Sequence, residues 1–224
     1  MGERALPLPY VRRPASVPSD RPPLLLLLHG VGSNERSMIG LAQAFDPRAE
    51  VLAVRSPIAL GPDAYAWFHV EFTPSGPVID AAEAQAGWML LARFIDEAVA
   101  AFGADPSRVY VGGFSQGGIM SLAGLLAHPA RIAGALVMSG RLLPEVLPHA
   151  APVEALRGKP LLVLHGVDDA KLGIHFARQA RERLAPFALA LEYHELPMGH
   201  EVRAEAVGLA ARWLRARLDG AAAR

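Results

Sequence analysis

One stretch constrains this chain more than any other: "VYVGGFSQGGIMSLAGLL", Val109 to Leu126, in which two pairs of glycines flank Ser115. A β-rich apolar run precedes Ser115 and an amphipathic helical pattern follows it, so the serine sits where a strand turns into a helix. An ordinary turn needs one residue of positive φ; two pairs of glycines imply that something bulky comes close to this backbone. Gly113, Ser115 and Gly117 also satisfy G-x-S-x-G, the sharp turn that lifts a serine hydroxyl out over a sheet.

The rest of the chain supplies the sheet. Leu24 to Leu28 is a wholly apolar run ending in "HGVGSN", which predicts a strand buried on both faces followed by a loop. Apolar positions at Met38, Leu41, Ala42 and Phe45 predict a helix over 36–45, and "EVLAVRSP" predicts a second strand stopped at Pro57. From there to Asp80 the prolines and the aromatics Tyr65, Trp67, Phe68 and Phe72 read as a long binding loop or lid without regular structure. A helix over 80–102 leads through "GADPSR" to the serine strand, and "RIAGALVMSG" and "KPLLVLHG" are two more apolar strands. A helix over 175–184, the strand "LALEYHEL" and a helix over 201–218 complete the pattern. Such alternation indicates an α/β fold: one domain over 1–224, its mostly parallel sheet covered by helices on both faces. Residues 1–22 form either an added edge strand or a loose segment.

Composition narrows the function. Positive and negative side chains balance at 22 each, so no net field draws in nucleic acid or an anionic membrane. Arginine supplies all of the positive charge except Lys159 and Lys171, and reads as a solvated surface. The chain has no cysteine, which excludes a thiolate nucleophile and cysteine-ligated metals. No histidine pair has a recognisable ligand spacing, no carboxylate cluster resembles a divalent-ion loop, and no P-loop ending is present, so neither metal nor cofactor is expected. The five leucines of "PPLLLLLHG" are too few for a signal-peptide core or a membrane span, and a cytoplasmic location is the simplest expectation.

A serine hydroxyl is a poor nucleophile until an imidazole takes its proton. Of the eight histidines, His200 stands out because "PMGHEV" places it between the last strand and the last helix, on the same edge of the sheet as Ser115. The imidazole needs a carboxylate to fix its tautomer, and "VLHGVDDAK" offers Asp168 and Asp169 just after a strand. The order Ser, Asp, His is the order this architecture uses. The tetrahedral intermediate needs preformed donors, which the backbone N–H groups of Gln116 and Val31 are placed to supply. His29 is expected to organise the "HGVG" loop.

With these pieces in order, the sequence resembles the phospholipase/carboxylesterase family of α/β-hydrolases, on "LLLLHGVGSNE", "VRSP", the "AWF" of Ala66 to Phe68, "GGFSQGG", "HGVDD" and "MGHEV". The resemblance implies Ser115 as nucleophile, His200 as general base and, from the pattern H-G-x-x-D, Asp169 rather than Asp168 as the orienting acid. It implies an α/β-hydrolase fold without a large cap domain, in which Trp67 and Phe68 either help to form the substrate pocket or pack against the sheet. It allows a homodimer. The expected activity is a serine carboxylesterase acting on short- to medium-chain acyl esters. The alternatives are an acyl-protein thioesterase or lysophospholipase with the same triad, and a non-catalytic binding protein that keeps the fold.

Overall fold

In a computed structural model that describes residues 6–73 and 76–222, the chain begins with β1 (Tyr10–Arg13), β2 (Leu24–Leu28), α1 (Glu35–Ile39) and β3 (Glu50–Val54). Two hairpins follow, β4 (Ile58–Gly61) with β5 (Ala64–Ala66) and β6 (Val70–Thr73) with β7 (Gly76–Ile79). Then come α2 (Ala81–Phe102), β8 (Val109–Phe114), α3 (Gln116–Ala127), β9 (Gly134–Met138), α4 (Val153–Leu156) and β10 (Pro160–Gly166). The chain closes with α5 (His175–Leu184), β11 (Ala190–Leu196) and α6 (Ala204–Ala222).

Seven strands form one sheet in the order β1-β3-β2-β8-β9-β10-β11. β1 runs antiparallel to β3, and every other pairing in the sheet is parallel. The N-terminal segment therefore does contribute an edge strand; residues 1–5 lie outside the described residues. Successive side chains of a strand point to opposite faces, and β2 shows the result. Leu24, Leu26 and Leu28 enter a core layer with Trp88, Leu91 and Ile95 of α2 and Met120 and Leu125 of α3. Leu25 and Leu27 enter the opposite layer with Met38 of α1 and Trp213 and Leu214 of α6. Such two-sided burial explains why this strand has no polar alternation.

Three expectations change. The predicted helix over 36–45 is α1 followed by a 3₁₀ turn, Gly40–Ala44, the tighter winding setting in at a residue of low helix propensity. The last helix starts at Ala204 rather than 201, because Glu201 turns back with its N–H on the Gly199 carbonyl at 3.0 Å. The proline-rich segment is regular after all, as two short hairpins. The first is tied to the loop after β2: Gly32 N–H donates to Tyr65 O, and Tyr65 N–H to Ser33 O, each at 2.9 Å. Pro74 of this segment lies outside the described residues.

Candidate active site

Ser115 follows β8 at the carboxyl ends of the parallel strands, where open α/β sheets bind ligands. Its backbone has φ +54° and ψ −119°, a conformation costing on the order of 1–3 kcal/mol that persists only when its surroundings enforce it. The enforcement is visible. Ser115 N–H donates to the Met138 carbonyl of β9 at 2.8 Å, and Ser115 O accepts from Ile119 N–H at 3.0 Å. The turn is so tight that a Cβ on Gly113 would collide with the backbone of Gly117, and one on Gly117 with the Leu28 and His29 carbonyls. Those glycines let β8, α3 and the end of β2 meet at one point.

Strand ends bring the partners to the same place. His200, after β11, has Nε2 2.9 Å from Ser115 Oγ and Nδ1 2.7 Å from Asp169 Oδ2. Asp169, after β10, is buried, and its Oδ1 accepts from the N–H groups of Lys171 at 2.9 Å and Leu172 at 2.8 Å. Asp168 is exposed, its N–H bound to the Met198 carbonyl at 3.1 Å. Of the two adjacent carboxylates, Asp169 is thus the one that holds His200. The Phe114 ring packs against the imidazole, centroids 4.9 Å apart.

The loop after β2 supplies the facing wall. His29 is fully buried; its Nδ1–H donates to the Gly30 carbonyl at 2.8 Å, which leaves Nε2 to accept from Ser56 N–H at 3.1 Å. The imidazole therefore ties the ends of β2 and β3 together, and burial lowers its pKa from the ordinary value. Among the described residues, the N–H groups of Val31 and Gln116 have no hydrogen-bond partner, and both residues border the cavity beside Ser115. Gln116 opens α3, so its N–H lies at the positive end of a helix of 12 residues.

A cleft of about 1140 Å³ opens over Ser115 and His200. Met38, Leu41, Phe114, Phe176 and Val202 give it apolar walls, and Thr73, Gly76 and Pro77 of the second hairpin roof it. A narrower side pocket of about 20 Å³ continues past Ser115 between Val31, Gln116 and Phe68. Phe68 borders this pocket. Trp67 is fully buried in the core and lines neither cavity.

The pattern that defines the phospholipase/carboxylesterase family matches residues 15–218. The chain belongs to that family. A carboxylesterase from Mesorhizobium loti superposes with a TM-score of 0.81 at 25% identity, over 94% of this chain and 95% of the other. The sequence of carboxylesterase SOBER1 from Arabidopsis thaliana is 28% identical over 69% of this chain and 68% of its own length. A rice protein described as a probable inactive carboxylesterase is 28% identical over 90% of this chain and 87% of its length. The α/β-hydrolase fold is shared, and no large cap domain is present among the described residues. As a member of this family the chain is a serine hydrolase. No helix among the described residues is long and apolar enough to cross a membrane.

Two residues of this phospholipase/carboxylesterase site, His165 and Arg141, and the side-chain role of a third, Gln116, escaped the sequence. Inside "GFSQGG", the Gln116 side chain clamps the segment that leads into the roof: Oε1 accepts from Trp67 N–H and Nε2 donates to the Phe68 carbonyl, both at 2.7 Å. Within "HGVDD", His165 is fully buried with its Nε2–H on the Leu172 carbonyl at 2.6 Å, bracing the loop that carries Asp169. Burial lowers the His165 pKa. Arg141, expected with the other arginines on a solvated surface, is instead only 9% exposed and borders the side pocket. The motifs themselves could have flagged the first two; nothing in "MSGRLLP" distinguishes a buried arginine.

Proposed function

We propose that this chain is a carboxylesterase that uses Ser115 as nucleophile, His200 as general base and Asp169 as the orienting acid. The observation that carries the reading is the continuous hydrogen-bonded line from Ser115 Oγ through His200 to Asp169, with the free N–H groups of Val31 and Gln116 beside it. That line also favours catalysis over an inactive copy of the fold. His200 Nε2 takes the Ser115 proton as Oγ attacks the ester carbonyl, and the two N–H groups stabilise the oxyanion. The same Nε2–H then protonates the leaving alcohol, and a water repeats both steps on the acyl-enzyme.

The cavities orient the substrate. The leaving oxygen must come within hydrogen-bond reach of His200 Nε2, so the alcohol occupies the broad cleft that contains His200. The acyl group then enters the side pocket, which holds the oxyanion donors but not His200. At about 20 Å³ this pocket is far narrower than the cleft, which favours a short acyl chain with Phe68 as one wall. The breadth of the cleft supports a second reading, in which a long acyl chain lies there as a thioesterase or lysophospholipase requires.

The test is the initial hydrolysis rate of p-nitrophenyl esters from acetate to palmitate, with Ser115→Ala alongside. A rate that peaks at short chains and falls by about 10⁶-fold in Ser115→Ala is expected. A peak at palmitate would reverse the orientation, and a variant within tenfold of wild type would remove Ser115 from the mechanism.

A further inference from the structure

Buried charges are ordinarily paired, because removing an ion from water is compensated only by a close counter-charge and full hydrogen bonding. Arg141 has no such partner among the described residues, and its nitrogens keep some exposure although the residue is buried. It emerges from the carboxyl end of β9, the strand beside the serine strand, and is 9% exposed. Among the described residues its guanidinium makes no hydrogen bond and has no carboxylate within 4.0 Å; its close contact is the Phe176 ring, 5.7 Å from Cζ to centroid. Burial lowers its pKa, and Glu145 nearby acts the other way without forming an ion pair. Glu145 is itself left with a buried Oε2 that no donor reaches.

What Arg141 does border is the side pocket, shared with Ser115, Val31 and Gln116 and otherwise walled by apolar side chains such as Phe68, Ile79, Ile119 and Leu172. In that apolar lining a fork of N–H donors is the one cationic group, and a carboxylate is the anion whose two oxygens match the fork. The pocket's small volume keeps the anion within a few bonds of the reacting carbonyl.

We propose that Arg141 selects acyl groups ending in a carboxylate, so that the preferred substrates are half-esters of short dicarboxylic acids. The inference rests on the esterase reading above and names its acyl donor. Hydrolysis breaks the acyl carbon–oxygen bond of the half-ester and replaces it with an oxygen from water. It releases the alcohol, the dicarboxylate and one proton. Arg141 touches the far carboxylate, not the reacting atoms, and helps by holding the carbonyl at Ser115.

Monoethyl succinate and ethyl butyrate differ at the far end of the acyl chain, carboxylate against methyl, and a pH-stat follows both. Wild type is expected to favour the succinate in kcat/KM, and Arg141→Met to lower the succinate-to-butyrate ratio by about 10- to 100-fold, Arg141→Lys falling between. An equal ratio in wild type and Arg141→Met, or a wild-type preference for butyrate, overturns the proposal. Binding of sodium succinate to Ser115→Ala by calorimetry separates the two readings. If wild type hydrolyses neither ester, the esterase reading fails, while succinate binding that disappears on adding Arg141→Met still supports the anion site. Absence of succinate binding overturns it. Melting curves identify a variant that does not fold, in which case Arg141→Lys carries the comparison.

Discussion

Replacing Gln116 with alanine separates two jobs that one residue performs. Its main-chain N–H survives any substitution, so the proposed oxyanion donor is kept, while the side chain that holds the segment leading into the roof is lost. Gln116 is 3% exposed, and its bonds to Trp67 N–H and Phe68 O, each 2.7 Å, reach the backbone of two residues that are themselves buried. Leaving a buried donor and a buried acceptor unsatisfied costs about 1–3 kcal/mol each, so Gln116→Ala should lose about 2–6 kcal/mol. For a chain of this size each kcal/mol lowers Tm by about 2–4 °C, and the midpoint of that range corresponds to about 8–16 °C. Urea unfolding and thermal melts measure the loss directly. Turnover of a p-nitrophenyl ester should fall by less than the 10²–10³-fold typical of removing an oxyanion donor. Gln116→Glu adds a signature in pH. A carboxylate there can accept from Trp67 but must be protonated to donate to Phe68 O, so its folded pKa is raised. Its stability is then greatest below the unfolded value of about 4.3 and falls as pH rises through the folded pKa. A Tm for Gln116→Ala within about 2 °C of wild type would refute the clamp.

Asp169→Asn should lower kcat by about 10⁴-fold, since an amide facing Nδ1 fixes the tautomer in which Nε2 cannot take the serine proton; the exposed Asp168→Asn should stay within about twofold, and p-nitrophenyl acetate kinetics compares them. The buried imidazoles of His29 and His165 have pKa values below their ordinary 6.5. Below about pH 6.5 the unfolded chain therefore binds more protons, so their stabilisation is complete above that pH and declines beneath it by up to about 1.4 kcal/mol per unit for each histidine. Urea midpoints at pH 7.5 and 5.5 should diverge less in His165→Asn than in wild type; an unchanged difference would count against a neutral buried His165.

The parallel sheet was legible because a strand buried on both faces leaves an apolar run, as Leu24–Leu28 does, and because the proposed site residues fall just after such runs. Ser115, His200 and the pair Asp168 and Asp169 all fall just after such runs in the sequence, and the family pattern selects Asp169. The hairpins were hidden for the opposite reason: their strands have three or four residues, and prolines and glycines break the alternation that marks a strand. Trp67 read equally well as pocket wall or core, and the choice depends on how Gln116 pulls its backbone down onto the sheet. Arg141 is buried in the folded chain, with the Phe176 ring 5.7 Å from its Cζ across 35 residues of sequence. No local pattern encodes such a position.

The Gln116 side chain grips the segment before the second hairpin by that segment's main-chain atoms alone, an N–H and a carbonyl that every sequence carries at those places except a proline at 67. The side chains of the second hairpin, Val70, Pro77 and Ile79 among them, face the side pocket without taking part in that attachment. Anchorage and selectivity are thus written in different atoms. On the proposed orientation, libraries that randomise these three positions redraw the acyl preference while the clamp stays fastened, which makes the hairpin the natural place to engineer this enzyme.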